Sequence, residues 1–324
     1  MHTLLDMDEV SGPAFVSTGH LPPAERVDTL LGEAYERFKS VDEGKVADYI
    51  PALAGTPRHL FAVCVVETNG ALHATGDTDY EFSIQSVSKP FVFALVCQAA
   101  GEEEARKKLG VNATGLPFNS VMAIELNSDR TMNPMVNAGA IATTGLAPGA
   151  TAEAKWRFIQ DGLSRFAGRK LTLNTEVYQS EAATNFRNHG IAKLLEGYGR
   201  LYFDALEAID IYTRQCSLNV NAKDLAAMGA TLADGGLNPL TEEQVIETAH
   251  CKRVLAVLAT AGLYERSGDW LYEIGLPGKS GVSGGIVTIS PGKGGLVRSR
   301  RRSTAPATAS RASSSPSFCP RGSD

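Results

Sequence analysis

Residues 82–96, Phe82-Ser83-Ile84-Gln85-Ser86-Val87-Ser88-Lys89-Pro90-Phe91-Val92-Phe93-Ala94-Leu95-Val96, constrain this chain more than any other stretch. The run from Phe91 to Val96 is wholly apolar and asks to be buried, yet a serine and a lysine stand three positions apart just ahead of it. The pattern predicts a buried helix beginning near Ser86. Positions i and i+3 share a helix face one turn apart, so the Ser86 hydroxyl and the Lys89 ammonium can meet. Burial disfavours the charged form of lysine and turns it into a base. A serine needs such a base to attack a carbonyl. The positive end of the helix favours both a neutral lysine and an incipient alkoxide. By composition alone an S-x-x-K spacing arises about once in a chain of this length, so the other segments must decide its meaning.

With 43% apolar and 21% charged residues, the 324-residue chain can build a substantial core. A net charge of −5 argues against nucleic acid as a partner. The five cysteines are odd in number and never in C-x-x-C spacing, and the six histidines form no H-x-x-x-H pair. That implies a reducing, cytoplasmic setting and no zinc site. The first eight residues are acidic rather than basic, unlike a secretory signal, and no apolar run approaches a membrane span.

Residues 1–21 read as a loose leader and 22–39 as an amphipathic helix, with Val27, Leu30, Leu31, Ala34 and Phe38 at helical spacing. Residues 60–66 read as a buried strand, Asn69-Gly70 as a hairpin turn and 71–75 as the returning strand. A helical middle follows: 151–166, then 175–184 capped by Asn174, a helix within 191–214 ending near Arg214, and 222–233 capped by Asn221. Thr241-Glu242-Glu243-Gln244 is expected to cap a further helix reaching Ala259. Residues 286–289 return to strand. Strands first, helices between and strands last describe an α+β domain whose antiparallel sheet joins both chain ends.

Lys279-Ser280-Gly281 has the K-[ST]-G form that accompanies S-x-x-K in penicillin-binding proteins and class A β-lactamases. Just beyond it, the Val282 N–H can face that of Ser86, and two such donors would stabilise an oxyanion. Further segments make the resemblance specific: Lys45-Val46-Ala47-Asp48-Tyr49-Ile50-Pro51, Asn133-Pro134-Met135-Val136-Asn137-Ala138-Gly139-Ala140-Ile141, Ser180-Glu181 with Asn185-Phe186-Arg187-Asn188, Tyr212 with Gln215-Cys216-Ser217, and Gly262-Leu263-Tyr264. Over residues 22–296 the chain resembles the serine-dependent glutaminases of the β-lactamase-like superfamily. The resemblance implies hydrolysis of L-glutamine to L-glutamate and ammonia through a serine acyl-enzyme, with no cofactor and a homodimeric or homotetrameric assembly. It implies Ser86 as nucleophile, Lys89 as base, Tyr212 and Tyr264 as phenols lining the nucleophile, and Val282 as backbone oxyanion donor. It also implies Tyr49, Asn137, Glu181 and Asn188 at the substrate's amino-acid end. An α-ammonium calls for an anion such as Glu181, and an α-carboxylate for donors such as asparagine and tyrosine. Without the resemblance these would read as a core tyrosine, a solvated glutamate and helix caps.

Two other readings share parts of the pattern. A β-lactam-type serine acylase would keep S-x-x-K but has no use for Glu181 at an ammonium. A catalytically dead remnant would keep the pocket and at most bind. The second arises from the last segment. Residues 297–324 hold six Arg, one Asp, no Lys and no Glu among Ser, Pro and Ala, giving a local charge of +5 and leaving −10 for residues 1–296. Such a segment reads as disordered, and its abrupt onset resembles translation in a wrong reading frame. On that reading the chain does not supply the strand that should follow 286–289. The centre of the sheet would then stand open, and the chain would be unstable and weakly active.

Overall fold

The computed structural model describes residues 21–41, 50–55, 57 and 59–300. In chain order the strands are β1 (Phe61–Glu67), β2 (Leu72–Gly76), β3 (Phe82–Ser83), β4 (Asn219–Val220), β5 (Leu237–Asn238), β6 (Glu243–Gln244), β7 (Gly278–Ser280), β8 (Gly285–Ser290) and β9 (Gly294–Arg300). Five of them form one antiparallel sheet in the order β2-β1-β9-β8-β7. Helices fill the chain between its two halves, so the α+β architecture read from the sequence is the one adopted.

The sheet is buried on both faces, and side-chain alternation sorts them. Ala62, Cys64, Val66, Val287, Ile289 and Val297 join the main core with the helix Ala222–Ala233 and the helical middle. Phe61, Val63 and Val65, with Leu296 against them, pack on Val27 and Leu31 of the helix Ala24–Phe38. The helix Ala222–Ala233 lies directly on β9 because both sides lack a side chain at the crossing. A Cβ on Gly295 would stand 2.3 Å from the Ala226 carbonyl, and one on Gly229 would stand 3.1 Å from the Gly295 Cα.

The expected gap in the sheet is therefore corrected: β9 fills it. Val63 lies opposite Arg298 on one side, and Val287 lies opposite Val297 on the other. The boundary drawn at residue 296 falls inside this strand. Composition misled because arginine was counted as a charge, whereas Arg298 and Arg300 take alternate places on this strand. Arg300 donates to the carbonyls of Phe38, Lys39 and Val41 at the end of the first helix, and its guanidinium lies 4.9 Å from the Phe61 ring centroid. A long apolar stem with a satisfied head can be buried where a bare charge cannot. Residues 301–324 lie outside the described residues.

One helix reading holds and another changes. The helix expected to end near Arg214 is Ala205–Cys216, capped by Asp204, and a separate helix, Phe186–Gly197, precedes it, ended by Gly199 at φ +64°. Thr241–Gln244 does not cap a helix, which starts instead at Thr248. Arg165 and β5 hold that stretch as the β6 arm of a hairpin: Glu243 takes the Arg165 guanidinium at 2.6 Å. The Asn174 and Asn221 caps form as expected, the latter as a reciprocal capping box with Asp224.

Candidate active site

Ser86 sits in a single 3-10 turn, Gln85–Ser88, that runs into the buried helix Lys89–Ala100. Pro90 falls in the first turn of that helix, where a missing N–H costs nothing. The turn is pinned from within and without. The Ser88 hydroxyl donates to the Gln85 carbonyl at 2.8 Å, and the Gln215 amide donates to Ser88 Oγ at 2.9 Å. Gln85, beside the nucleophile, has φ +51°, and Tyr264 has φ +60°. Left-handed backbone at non-glycine residues is costly and collects at functional sites.

The lysine has partners that helical spacing alone does not foresee. The Lys89 ammonium donates to Asn137 Oδ1 at 2.7 Å and to the Met135 carbonyl at 3.4 Å. Ser86 shares a hydrogen bond with the Tyr264 hydroxyl. A fully buried ammonium needs acceptors, and the start of the helix Asn137–Leu146 provides them. Burial still pushes Lys89 down from 10.5 to about 8. A second buried lysine, Lys279, lies 3.9 Å from the Tyr264 ring centroid and donates to the Ser280 carbonyl. Burial first, and the neighbouring Lys89 second, hold Lys279 well below its ordinary value. Burial likewise raises the Tyr212 and Tyr264 phenols, so both stay protonated at neutral pH.

Ser86, Val282, Asn137, Glu181, Asn188 and Tyr212 all line one cavity of about 310 Å³. They come from five separate segments. Asn137 is the hub behind it: Oδ1 also accepts from the Tyr212 hydroxyl at 3.4 Å, and Nδ2 donates to Asn188 Oδ1 at 3.0 Å. Glu181, at the end of the helix Thr175–Ala182, is half-buried, and burial raises its carboxyl from 4.5 to about 7. Val282 is the second residue of a tight turn, Gly281–Gly284, closed by the Gly284 N–H donating to the Gly281 carbonyl at 3.0 Å. A Cβ on Gly281 would stand 3.0 Å from Val87 Cγ2 and 3.1 Å from the Ile84 carbonyl, so glycine lets this turn approach the serine turn. Lys89 and Tyr264 stand behind the cavity wall. Tyr49 lies outside the described residues.

Sequence reasoning missed several contributors. The Gln85 amide donates to Glu181 Oε2 at 3.1 Å, and only its place next to the serine could have drawn attention to it. Arg187 lines the cavity as an exposed cation, although neutral donors were expected for a carboxylate. Cys216, by contrast, reads from the sequence as a small buried hydrophobe and not a nucleophile; it lines the cavity, and burial raises its thiol. Among the described residues no group of His, Cys, Asp and Glu could hold a metal ion.

Comparison with known proteins agrees with this arrangement. The Glutaminase family model matches residues 44–298. "Glutaminase 2" of Yersinia pestis is 66% identical over 282 residues, covering 87% of this chain and 83% of the relative. The "Glutaminase" of Brucella canis is 52% identical over 254 residues, 78% of this chain and 80% of the relative. Among solved structures, "Probable glutaminase ybaS" superposes with a TM-score of 0.87 at 43% identity, covering 92% of this chain and 98% of that one. "Probable glutaminase from Bacillus subtilis complexed with 6-diazo-5-oxo-L-norleucine" superposes with a TM-score of 0.78 at 28% identity, covering 93% and 96%.

Proposed function

The chain belongs to the glutaminase family, and from that premise we propose that it hydrolyses L-glutamine to L-glutamate and ammonia through an acyl-enzyme on Ser86. One observation carries the reading. A serine with a buried amine base behind it shares a single cavity with a carboxylate and two asparagines suited to an amino acid's ends. Lys89 takes the Ser86 proton as the hydroxyl oxygen attacks the side-chain amide carbon. It sits in hydrogen bonds to Asn137 and Met135 beforehand, and such catalytic bonds commonly tighten only around substrate. The Val282 and Ser86 N–H groups receive the oxyanion. The C–N bond then breaks, and the nitrogen leaves as ammonia with a proton relayed by a tyrosine. The Ser86–Tyr264 hydrogen bond favours Tyr264 over Tyr212 for that step. Water cleaves the resulting ester and releases glutamate. No cofactor enters this sequence.

Glu181 receives the α-ammonium, and Asn137, Asn188 and Tyr212 face the rest of the amino-acid end, with Tyr49 assigned there by resemblance alone. The compound complexed with the Bacillus subtilis neighbour, 6-diazo-5-oxo-L-norleucine, is itself an L-amino acid carrying a side-chain carbonyl, which suits the same assignment. A cytoplasmic homo-oligomer, dimer or tetramer, goes with this reading. The four free, buried cysteines among the described residues fit a reducing compartment. Ammonia release on glutamine and asparagine, beside a chromogenic β-lactam, tests the proposal. Turnover of glutamine alone supports it; β-lactam turnover without glutamine turnover would replace it with the acylase reading.

A further inference from the structure

Three buried polar side chains that the mechanism leaves unused form a continuous line through the site. Gln85 Nε2 donates to Glu181 Oε2 at 3.1 Å and to Ser83 Oγ at 3.4 Å. Ser83 Oγ in turn lies 2.7 Å from Ser283 Oγ. Gln85, Ser83 and Ser283 are 3%, 1% and 5% exposed, so water does not compete for these bonds. The residues are far apart in sequence and belong to three functional pieces. Glu181 ends a helix at the cavity wall. Ser83 and Gln85 flank Ile84 immediately before the nucleophile. Ser283 is the neighbour of Val282 in the tight turn that offers the oxyanion N–H.

The backbone gives the line direction. Gln85 holds φ +51°, a conformation that an isolated glutamine avoids. Two side-chain bonds to Gln85 Nε2 and the Ser88 hydroxyl on its carbonyl keep it there. In the turn Gly281–Gly284, Val282 and Ser283 are the central residues, and the internal bond closes only the outer pair. The Gly281 carbonyl and the Val282 N–H belong to one planar peptide, so the turn's own bond sets the N–H relative to the turn, but not where the turn as a whole stands against the serine. The Ser83–Ser283 contact holds the turn against the serine segment from outside, beside the close packing of Gly281 on Ile84 and Val87, and so places the Val282 N–H relative to Ser86.

We propose that Ser83, Gln85 and Ser283 are positioning residues forming a strut from the substrate's α-ammonium site to the oxyanion donor, so that an ammonium seated at Glu181 helps to aim the Val282 N–H. The proposal rests on the assignment of Glu181 and Val282 made above. It assigns the α-amino group a role in kcat as well as in KM. An amine held only as an anchor contributes binding that is equal in ground and transition states, and this appears in KM alone.

The test compares L-glutamine with 5-amino-5-oxopentanoate, the same molecule without the α-amino group. Both are assayed by ammonia release in the full chain and in Ser83→Ala, Ser283→Ala, the double variant and Ser283→Thr. The unmodified chain should turn over glutamine with a kcat about tenfold above that of the analogue, in addition to a lower KM. In Ser283→Ala the kcat for glutamine should fall about tenfold toward the analogue's value, while the KM ratio of the two substrates stays within about twofold. The double variant should match the singles, because both remove the same bond. Ser283→Thr, which keeps the hydroxyl, should recover most of the kcat. Additive losses, a loss confined to KM, or kcat losses equal on both substrates would overturn the strut. Should Ser83→Ala or Ser283→Ala fail to fold, Gln85→Asn provides the same comparison, since asparagine tolerates positive φ but is one methylene too short to reach both partners. Ser86→Ala in the same series separates the layers. If it keeps full turnover, the site reading itself is wrong; if it is inactive while both serine variants resemble the unmodified chain, only the strut is.

Discussion

Lowering the pH from 8 to 6 should slow this enzyme far more than one titrating group allows. Burial moves two groups at the site in opposite directions: Lys89 falls to about 8 and Glu181 rises to about 7. The assigned roles require the opposite of what acid favours. Lys89 must be neutral to take the serine proton, and Glu181 must be ionised to receive an ammonium, so each must lose a proton. At pH 7 about one Lys89 in ten is neutral, against about one in three thousand for an ordinary lysine, and about half of Glu181 is ionised. At pH 6 both fractions fall by about tenfold and about fivefold. The product predicts that kcat/KM drops about tenfold from pH 8 to 7 and about fiftyfold from 7 to 6. The logarithmic slope therefore approaches two.

The assay is initial ammonia release at glutamine well below KM, from pH 5.5 to 8.5 at constant ionic strength, with circular dichroism at each pH to show the chain stays folded. Glu181→Gln should reduce the slope to one while lowering the whole curve, because only the lysine then titrates. A slope of one or less in the unmodified, folded enzyme below pH 6.5 would refute the pairing of roles. A slope of two in Glu181→Gln would show that the second proton belongs to some other group.

Ser86→Ala should lower kcat by at least about 10³-fold and leave the melting temperature within a few degrees, since one small hydroxyl is lost; residual turnover near that of the unmodified chain would end the acyl-enzyme mechanism. Glu181→Gln should raise KM for glutamine at neutral pH by at least about 30-fold, reflecting a charge pair worth about 2–5 kcal/mol left half-made, and an unchanged KM would move the ammonium elsewhere. Arg300→Ala removes the donor to the Phe38, Lys39 and Val41 carbonyls and the contact with Phe61. It should cost about 2–4 kcal/mol and lower the melting temperature by about 5–10 °C, measured by calorimetry; no shift would show that this strand end does not help to hold the sheet.

What was legible in the sequence was whatever depends on local pattern. The Asn174 and Asn221 caps, the first hairpin and the helix ahead of Phe91 follow from neighbouring residues, and they formed where expected. So did the gathering of Ser86, Asn137, Glu181, Asn188, Tyr212 and Val282, although only the resemblance joined those distant segments. What failed depends on partners far along the chain. Helical spacing puts Ser86 and Lys89 on one face but cannot say that Asn137, 48 positions on, also accepts from the ammonium. Nor can local pattern show that Arg165 draws Glu243 into a hairpin 78 positions away.

The arginine segment makes the same point for composition. Charge counting averages over faces, but a strand presents its residues to two different environments in alternation. Val297 meets the helix Ala222–Ala233 in the main core, whereas Arg300 meets the open carbonyls at the end of the helix Ala24–Phe38. A helix C-terminus is electron-rich, with carbonyls that lack intrahelical partners, so a guanidinium there is a complement and not an intrusion. The same holds for Lys89 and Lys279, buried cations that composition would place on the surface. In each case the acceptor set decides burial. At Arg300 three carbonyls accept from the guanidinium; at Lys89 the acceptors are too few to offset desolvation fully, and the residue is left close enough to neutrality to act as a base.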